Sequence, residues 1–239
     1  MQGVRLSFEI IRDSRGTLLQ WARESNNSSM QQGWLPLFPL QVVLFPGAQL
    51  PLHIFEDRYK ELIQEAIRDR AEFGVVMASE KGIVSIGCTA TVDSVLRKYP
   101  DGRMDILTRG RRRFEIERLN DERSFLRGAV EFFDDDPGAP AEAAVKASAI
   151  EGFNEFQKLA SSDLLDPTGA ADPQLSFRLA QAVNDLTFRQ LLLISRSEAD
   201  RIKRLAEFFP AHLARERHNL RVKTVAPLNG HGRPPGGLG

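Results

Sequence analysis

Gly82-Ile83-Val84-Ser85-Ile86-Gly87-Cys88-Thr89 carries the glycine spacing and closing threonine of a phosphate-binding loop. That chemistry also needs a lysine before the threonine to neutralise the phosphates, and Cys88 stands in its place. A phosphate loop further requires a strand before it and a helix after it. Strand-type sequence lies on both sides here, so a turn between two strands is expected instead. Cys88 is the chain's single cysteine, which excludes an intramolecular disulfide and every multi-cysteine zinc site. To act as a nucleophile it would need a partner base, and the sequence assigns none, so it reads as a buried strand thiol.

His53 stands between Leu52 and Ile54, and strand alternation turns it away from their face. With no second ligand type at metal spacing, it reads as a surface or hydrogen-bonded side chain, because metal sites need three or four convergent ligands. His212 and His218 do not share a helix face in the i, i+4 manner of a zinc pair, and His231 falls in the tail. Asp134, Asp135 and Asp136 offer hard oxygen ligands, but directly before Pro137-Gly138 they read as a solvated turn. No G-x-S-x-G elbow occurs. Arg109, Arg111, Arg112 and Arg113 form the compact basic cluster. In a strand, Arg111, Arg113, Glu115 and Glu117 share one face, so charge largely balances there and a solvated sheet face is expected. The alternative is RNA-phosphate contact through Arg111 and Arg113, a mode that also wants exposed aromatics.

These residues need elements to carry them. Tyr59, Leu62, Ile63, Ala66 and Ile67 fall at helical spacing after Asp57, which is the expected N-cap. The segments 73–78, 83–86, 88–98, 103–109, 111–119 and 126–133 are rich in β-branched and aromatic residues and bounded by Gly, Pro, Asp or Asn. Tyr99-Pro100-Asp101-Gly102 is a turn signal that joins 92–98 to 103–108 as a hairpin. Short strands with frequent turns argue for a sandwich or barrel rather than parallel βαβ units. Beyond Asp134–Pro140 the period becomes helical. Val145, Ala149, Phe153, Phe156 and Ala160 form one stripe, Leu175, Leu179, Ala182, Val183 and Leu186 a second, and Ile202, Leu205, Ala206 and Phe209 a third. Residues 161–174 read as an exposed connection, and Ser197 as the N-cap of the last helix.

Thirty-two basic and 32 acidic residues cancel, leaving no global field to draw in nucleic acid or an anionic membrane. No 18-residue apolar run is present. Glu9, Arg12, Asp13 and Arg15 interrupt the apolar cluster near the N-terminus, so no signal-peptide pattern forms; with one cysteine, a cytoplasmic location is expected.

Leu35-Pro36-Leu37-Phe38-Pro39-Leu40-Gln41-Val42-Val43-Leu44-Phe45-Pro46-Gly47, running into Gln49–Glu56, is a proline-punctuated apolar stretch that only short extended pieces and turns can accommodate. It closely resembles the opening of the Lon protease N-terminal domain, the substrate-recognition module. The resemblance continues through Phe73-Gly74-Val75-Val76-Met77, Gly87-Cys88-Thr89-Ala90 and the late strand pair Leu107–Ile116. It implies an α+β fold: a PUA-like β pseudo-barrel with one packed helix, followed by a C-terminal α-helical bundle. With the break at Asp134–Pro140 and the Pro- and Gly-rich end of the chain, the expected organisation is an N-terminal arm over 1–33, of which the part before Met30 is an accessory arm or a gene-model extension, a β domain over 34–136, a helical subdomain over 141–225 and a disordered tail over 226–239. The resemblance also implies recognition of polypeptide, since in full-length Lon catalysis belongs to other domains. Neither the Walker motifs nor the serine segment and catalytic lysine of those domains occurs here. The expectation is therefore a stand-alone, non-catalytic module without cofactor, metal or membrane. It would bind unfolded or apolar polypeptide, acting as an adaptor in protein quality control with a protease or chaperone. Phe45 in the Pro-rich loop and Tyr99 and Met104 at the hairpin tip are the expected exposed anchors. RNA binding through the PUA-like sheet rests on analogy of fold.

Overall fold

In the computed structural model the described residues are 10–11, 34–159 and 172–225, with side chains described over 34–158 and 172–214. The expectations for the N-terminal arm, for Ala160, for most of the connection 161–174, for the tail and for the side chains of His218 and His231 lie outside these residues.

Twelve elements run along the chain: β1 (Ile10–Ile11), β2 (Leu35–Leu40), β3 (Gln49–Ile54), α1 (Asp57–Asp69), β4 (Phe73–Ser79), β5 (Gly82–Lys98), β6 (Met104–Asn120), β7 (Arg127–Phe133), α2 (Ala143–Leu159), α3 (Leu175–Ala180), α4 (Leu186–Ile194) and α5 (Glu198–Val225). The strands form one mixed sheet in the order β1-β5-β4-β2-β7-β6-β3. An additional β5–β6 pairing joins its two sides, so β5, β4, β2, β7 and β6 close into a ring. The expected α+β class with a closed β body is found. Pro51 is accommodated because, among the described residues, β3 pairs with β6 alone, which leaves its other edge without a ladder there.

Two expected strand pairs turn out to be single long strands. Gly87 and Gly110, read as breaks, lie inside β5 and β6. Their role is close approach. A Cβ on Gly87 would stand 2.5 Å from the Val75 carbonyl oxygen, and one on Gly110 would stand 2.1 Å from that of Phe45. The phosphate-loop-like stretch is thus strand throughout, with no helix after it. The hairpin turn is found as expected: Gly102 adopts φ 85° and its N–H donates to the Tyr99 carbonyl at 3.0 Å.

The ring encloses Leu37, Val76, Ile83, Phe114 and Ile116. α1 buries Tyr59, Leu62, Ile63 and Ala66, with Tyr59 stacked on Phe38 at 4.1 Å between ring centres. Each large side chain buried there contributes about 1.5–3 kcal/mol before ordering entropy. Asp57 is not the N-cap. Glu56 occupies that position in an extended conformation without a side-chain cap bond, and the Asp57 carboxylate accepts from Lys60 Nζ at 3.0 Å. α1 stops at Arg70, which adopts a left-handed φ of 51°.

The chain divides into two compact units, one of residues up to Pro137 with Val183–Arg196, the other of Gly138–Ala182 with residues from Ser197 on. The second expected stripe is therefore split. α3 ends at Ala180, and α4 begins after Asp185, whose side chain caps it by accepting from Phe188 N at 2.9 Å. α4 belongs to the β unit: Gln190 Nε2 donates to the Ile86 carbonyl at 2.9 Å, and Arg189 Nη2 donates to that of Val43 at 2.8 Å. Within the helical unit, Phe153 packs edge-on to Phe209, and buried Arg201 donates to Ser176 Oγ and to Glu198 Oε2 at 2.7 Å each. Ser197 Oγ accepts from Asp200 N at 3.2 Å, the expected cap of α5. No described helix is long and apolar enough to cross a membrane.

Candidate functional site

β4 is seven residues long and β5 seventeen, so the β4–β5 hairpin leaves the far half of β5 without its first partner. α1 ends beside that stretch. Between them opens a groove of about 550 Å³, lined by Ala66, Ile67, Arg70 and Ala71 on one wall and by Thr91–Val95 with Arg111 on the other. Half-buried Ile67, Val92 and Val95 give it an apolar floor; exposed Arg70, Ser94 and Arg111 give it a polar rim. Asp93, the groove's carboxylate, is held by Arg109 Nε at 2.8 Å, and Arg111 Nε donates to Thr91 Oγ1 at 2.9 Å. An apolar floor with a small set of fixed polar groups is the arrangement that captures a ligand by burial and orients it by hydrogen bonds.

A second cluster occupies the hairpin end of β3, β5 and β6. His53 Nδ1 lies 2.5 Å from Asp105 Oδ1, and Tyr99 Oη donates to Asp105 Oδ2 at 2.8 Å. The hydrogen bond from His53, with that from Tyr99, holds the Asp105 carboxyl below the usual range, and the same Asp105 bond raises the Tyr99 hydroxyl. Arg97 and Arg103 stand over the Tyr99 ring at 4.6 and 5.0 Å. Asp105 ties His53 of β3 to Tyr99 of the turn through its two carboxylate oxygens, which stiffens the hairpin tip. Nearby in sequence, Phe55 and Leu96 are 59% and 62% exposed.

The expected anchors separate on burial. Phe45 is 0% and Met104 3% exposed, so neither offers a surface contact; Phe45 lies beneath the Arg189 guanidinium and Met104 faces the core from the first position of β6. Tyr99 is half-buried. Of the two arginines, Arg111 is exposed on the groove rim. Arg113 is only 4% exposed, donating to the carbonyls of Leu193 and Ser195 and to Asp135. The expected solvated face is therefore covered at Arg113, because the end of α4 lies across it. Asp135 serves that ion pair, and no group of three or more His, Cys, Asp or Glu side chains able to hold a metal ion occurs among the described residues. His212 packs half-buried on Phe208 and Phe156.

Cys88 is buried, and burial pushes its thiol from 9.0 up to about 12. In the unfolded chain this thiol ionises first, so stability is full below pH 9 and falls as pH rises toward 12. The slope is about 1.4 kcal/mol per pH unit at most. Urea midpoints measured upward from pH 8 should show that slope in the wild type and a flatter one in Cys88→Ala; equal slopes would contradict a buried thiol.

Of the groove lining, sequence reasoning singles out Arg111 as a candidate contact and Ala66 and Ile67 as helix stripe, but not the stretch Thr91–Val95, although a signal for it exists. Aligning 73–79 with 82–90 across the turn at Glu80-Lys81 already strands residues 91–98 beyond the end of β4.

The model of the ATP-dependent protease La (LON) substrate-binding domain family matches residues 34–218. A Lon protease of Parabacteroides distasonis is 32% identical over 110 residues, which are 42% of this chain and 13% of that protein. The crystal structure of a Lon N-terminal domain protein from Xanthomonas campestris aligns with a TM-score of 0.59 at 25% identity, covering 74% of this chain and 98% of that one. The N-terminal domain of the Mycobacterium avium complex Lon protease shares the fold at a TM-score of 0.56 and 18% identity, over 75% of this chain and 100% of that one. This chain spans 12% to 24% of the length of the curated relatives compared.

Proposed function

The chain belongs to the ATP-dependent protease La (LON) substrate-binding domain family, and on that premise we propose that it binds exposed apolar or partly unfolded polypeptide and does so without catalysis. The observation that carries this reading is the open groove between α1 and β5, with its floor of Ile67, Val92 and Val95 and its polar rim. Affinity at such a site comes from buried side chains more than from net charge. Binding without bond cleavage fits the chemistry of the candidate nucleophile: Cys88 is sealed in the sheet with its thiol pushed up to about 12, where almost no thiolate exists at neutral pH. An adaptor that hands its client to a protease or chaperone in the cytoplasm is the role this suggests.

Fluorescence anisotropy of a dye-labelled, permanently unfolded polypeptide titrated with the purified chain tests the proposal. Saturable binding in the micromolar range, about −8 kcal/mol, is expected, with no binding of a stably folded protein carrying the same dye. Absence of saturable binding would end this reading while leaving the fold untouched.

A further inference from the structure

The β4–β5 ladder runs from Ser79–Gly82 to Phe73–Ala90 and stops there. β5 continues as Thr91–Lys98, and along that stretch its ladder partner among the described residues is β6 alone. β6 in turn carries β3 on its far side, so β3-β6-β5 is a three-stranded ribbon with an open edge at β5. An edge strand presents unpaired N–H and C=O groups at alternate residues and is a ready template for another strand. Bulges at Val92/Ser94 and Val95/Arg97 twist this edge, and the last turn of α1 flanks it without filling the space between.

Charge narrows what could enter. Arg58, Arg103, Arg109, Arg112 and Arg123 each meet a carboxylate. Arg70 and Arg111, the two guanidiniums lining the groove, form no salt bridge among the described residues, and the groove's own carboxylate, Asp93, is taken by Arg109. The negative end of the α1 dipole, about half a charge, does not cancel two guanidiniums. No aromatic ring among the described residues lines the groove, so they offer no stacking platform for a nucleic acid strand there.

We propose that the open edge of β5 over Thr91–Val95 accepts an extended client segment as an added strand, with an acidic side chain of that segment held between Arg70 and Arg111. This rests on the polypeptide-binding reading and specifies its mode: main-chain pairing supplies the grip, and the arginine pair selects the register.

The probe is a dye-labelled, end-capped peptide of alternating valine and threonine with one central aspartate, measured beside the unfolded polypeptide above. Saturable binding is expected, with amide exchange at Thr91–Val95 slowed at least about tenfold in the complex. N-methylation of alternate peptide nitrogens should abolish binding along one edge and be tolerated along the other. Exchanging the aspartate for asparagine should weaken binding about tenfold to the wild type and have no effect on Arg70→Gln/Arg111→Gln, whose exposed sites leave folding intact. Equal binding of both N-methylated peptides, or unchanged exchange at Thr91–Val95 while the unfolded polypeptide still binds, overturns the strand-addition mode and leaves the polypeptide reading standing. Failure of both probes overturns both. An RNA oligonucleotide that displaces the peptide and loses affinity in the double variant overturns the proposal in favour of nucleic acid.

Discussion

Gly110→Ala is expected to lower folding stability by about 3 kcal/mol, because the added methyl has no room to occupy. Its Cβ would lie 2.1 Å from the Phe45 carbonyl oxygen, 3.0 Å from the Phe45 carbonyl carbon and 3.2 Å from Leu44 Cγ. The first two are backbone atoms and cannot rotate away. Nor can the loop retreat cheaply. Gly47 N–H donates to the Gly110 carbonyl and Gly110 N–H to that of Ala48, both at 2.9 Å, while the Phe45 ring is fully buried beneath the Arg189 guanidinium. Relief therefore breaks hydrogen bonds that are costly to leave unmade, about 1–3 kcal/mol each when buried. Two controls separate sterics from conformation. Gly128→Ala meets a flexible Leu37 methyl at 3.1 Å and should cost less than about 1 kcal/mol, and Gly47→Ala has open space but a φ of 76°, which costs about 1–2 kcal/mol in any L-residue. Urea denaturation of the three variants gives the ordering; a Gly110→Ala midpoint at the wild-type value would mean that the Pro-rich loop does not cross β6 there.

That crossing also explains what the sequence disclosed and what it withheld. α1 was legible because a 3.6-residue period needs no knowledge of the rest of the chain, and the turn at Tyr99–Gly102 because Pro and Gly fix φ locally. The proline-punctuated stretch carried the family resemblance for the same reason. Gly87 and Gly110 were misread because a glycine that ends a strand and a glycine over which another segment passes look identical in sequence; the difference lies in Val75 and Phe45, residues far from them along the chain. Phe45 and Met104 stand beside loop-forming residues and so read as tip residues, whereas both are buried, Phe45 beneath Arg189 of α4. α4 itself lacked a clean stripe, since Leu191, Leu192, Leu193 and Ile194 are consecutive and have no period. The groove depends on a difference in length between two paired strands, a relation that pattern within either strand does not contain.

Arg113 is the residue where that non-local information has the largest energetic weight. A charged side chain in a strand with outward-facing glutamates reads as solvated, yet Arg113 is buried and its guanidinium donates to the Leu193 carbonyl at 3.2 Å, the Ser195 carbonyl at 2.6 Å and Asp135 Oδ1 at 2.6 Å. The two carbonyls belong to the last turn of α4 and to its C-cap residue, where the helix leaves acceptors without intrahelical donors and where the dipole favours a cation. Arg113→Ala removes a buried donor from all three and should cost about 3 kcal/mol, the low end for breaking a buried pair because Asp135 keeps 31% of its side chain in water. Arg113→Lys should recover less than half of the loss, since one ammonium cannot reproduce a planar fork that serves three acceptors. Hydrogen exchange gives the discriminating readout: α4 amides should lose protection in Arg113→Ala ahead of those of β4 and β5, because the guanidinium ties the helix end to the sheet while the ring has its own ladders. A variant within about 0.5 kcal/mol of the wild type, with α4 still protected, would show that the helix is held without it. The same geometry removes Arg113 from any RNA-phosphate contact. A guanidinium committed to three internal acceptors would have to abandon α4 to reach a phosphate, at a cost comparable to what the contact could return.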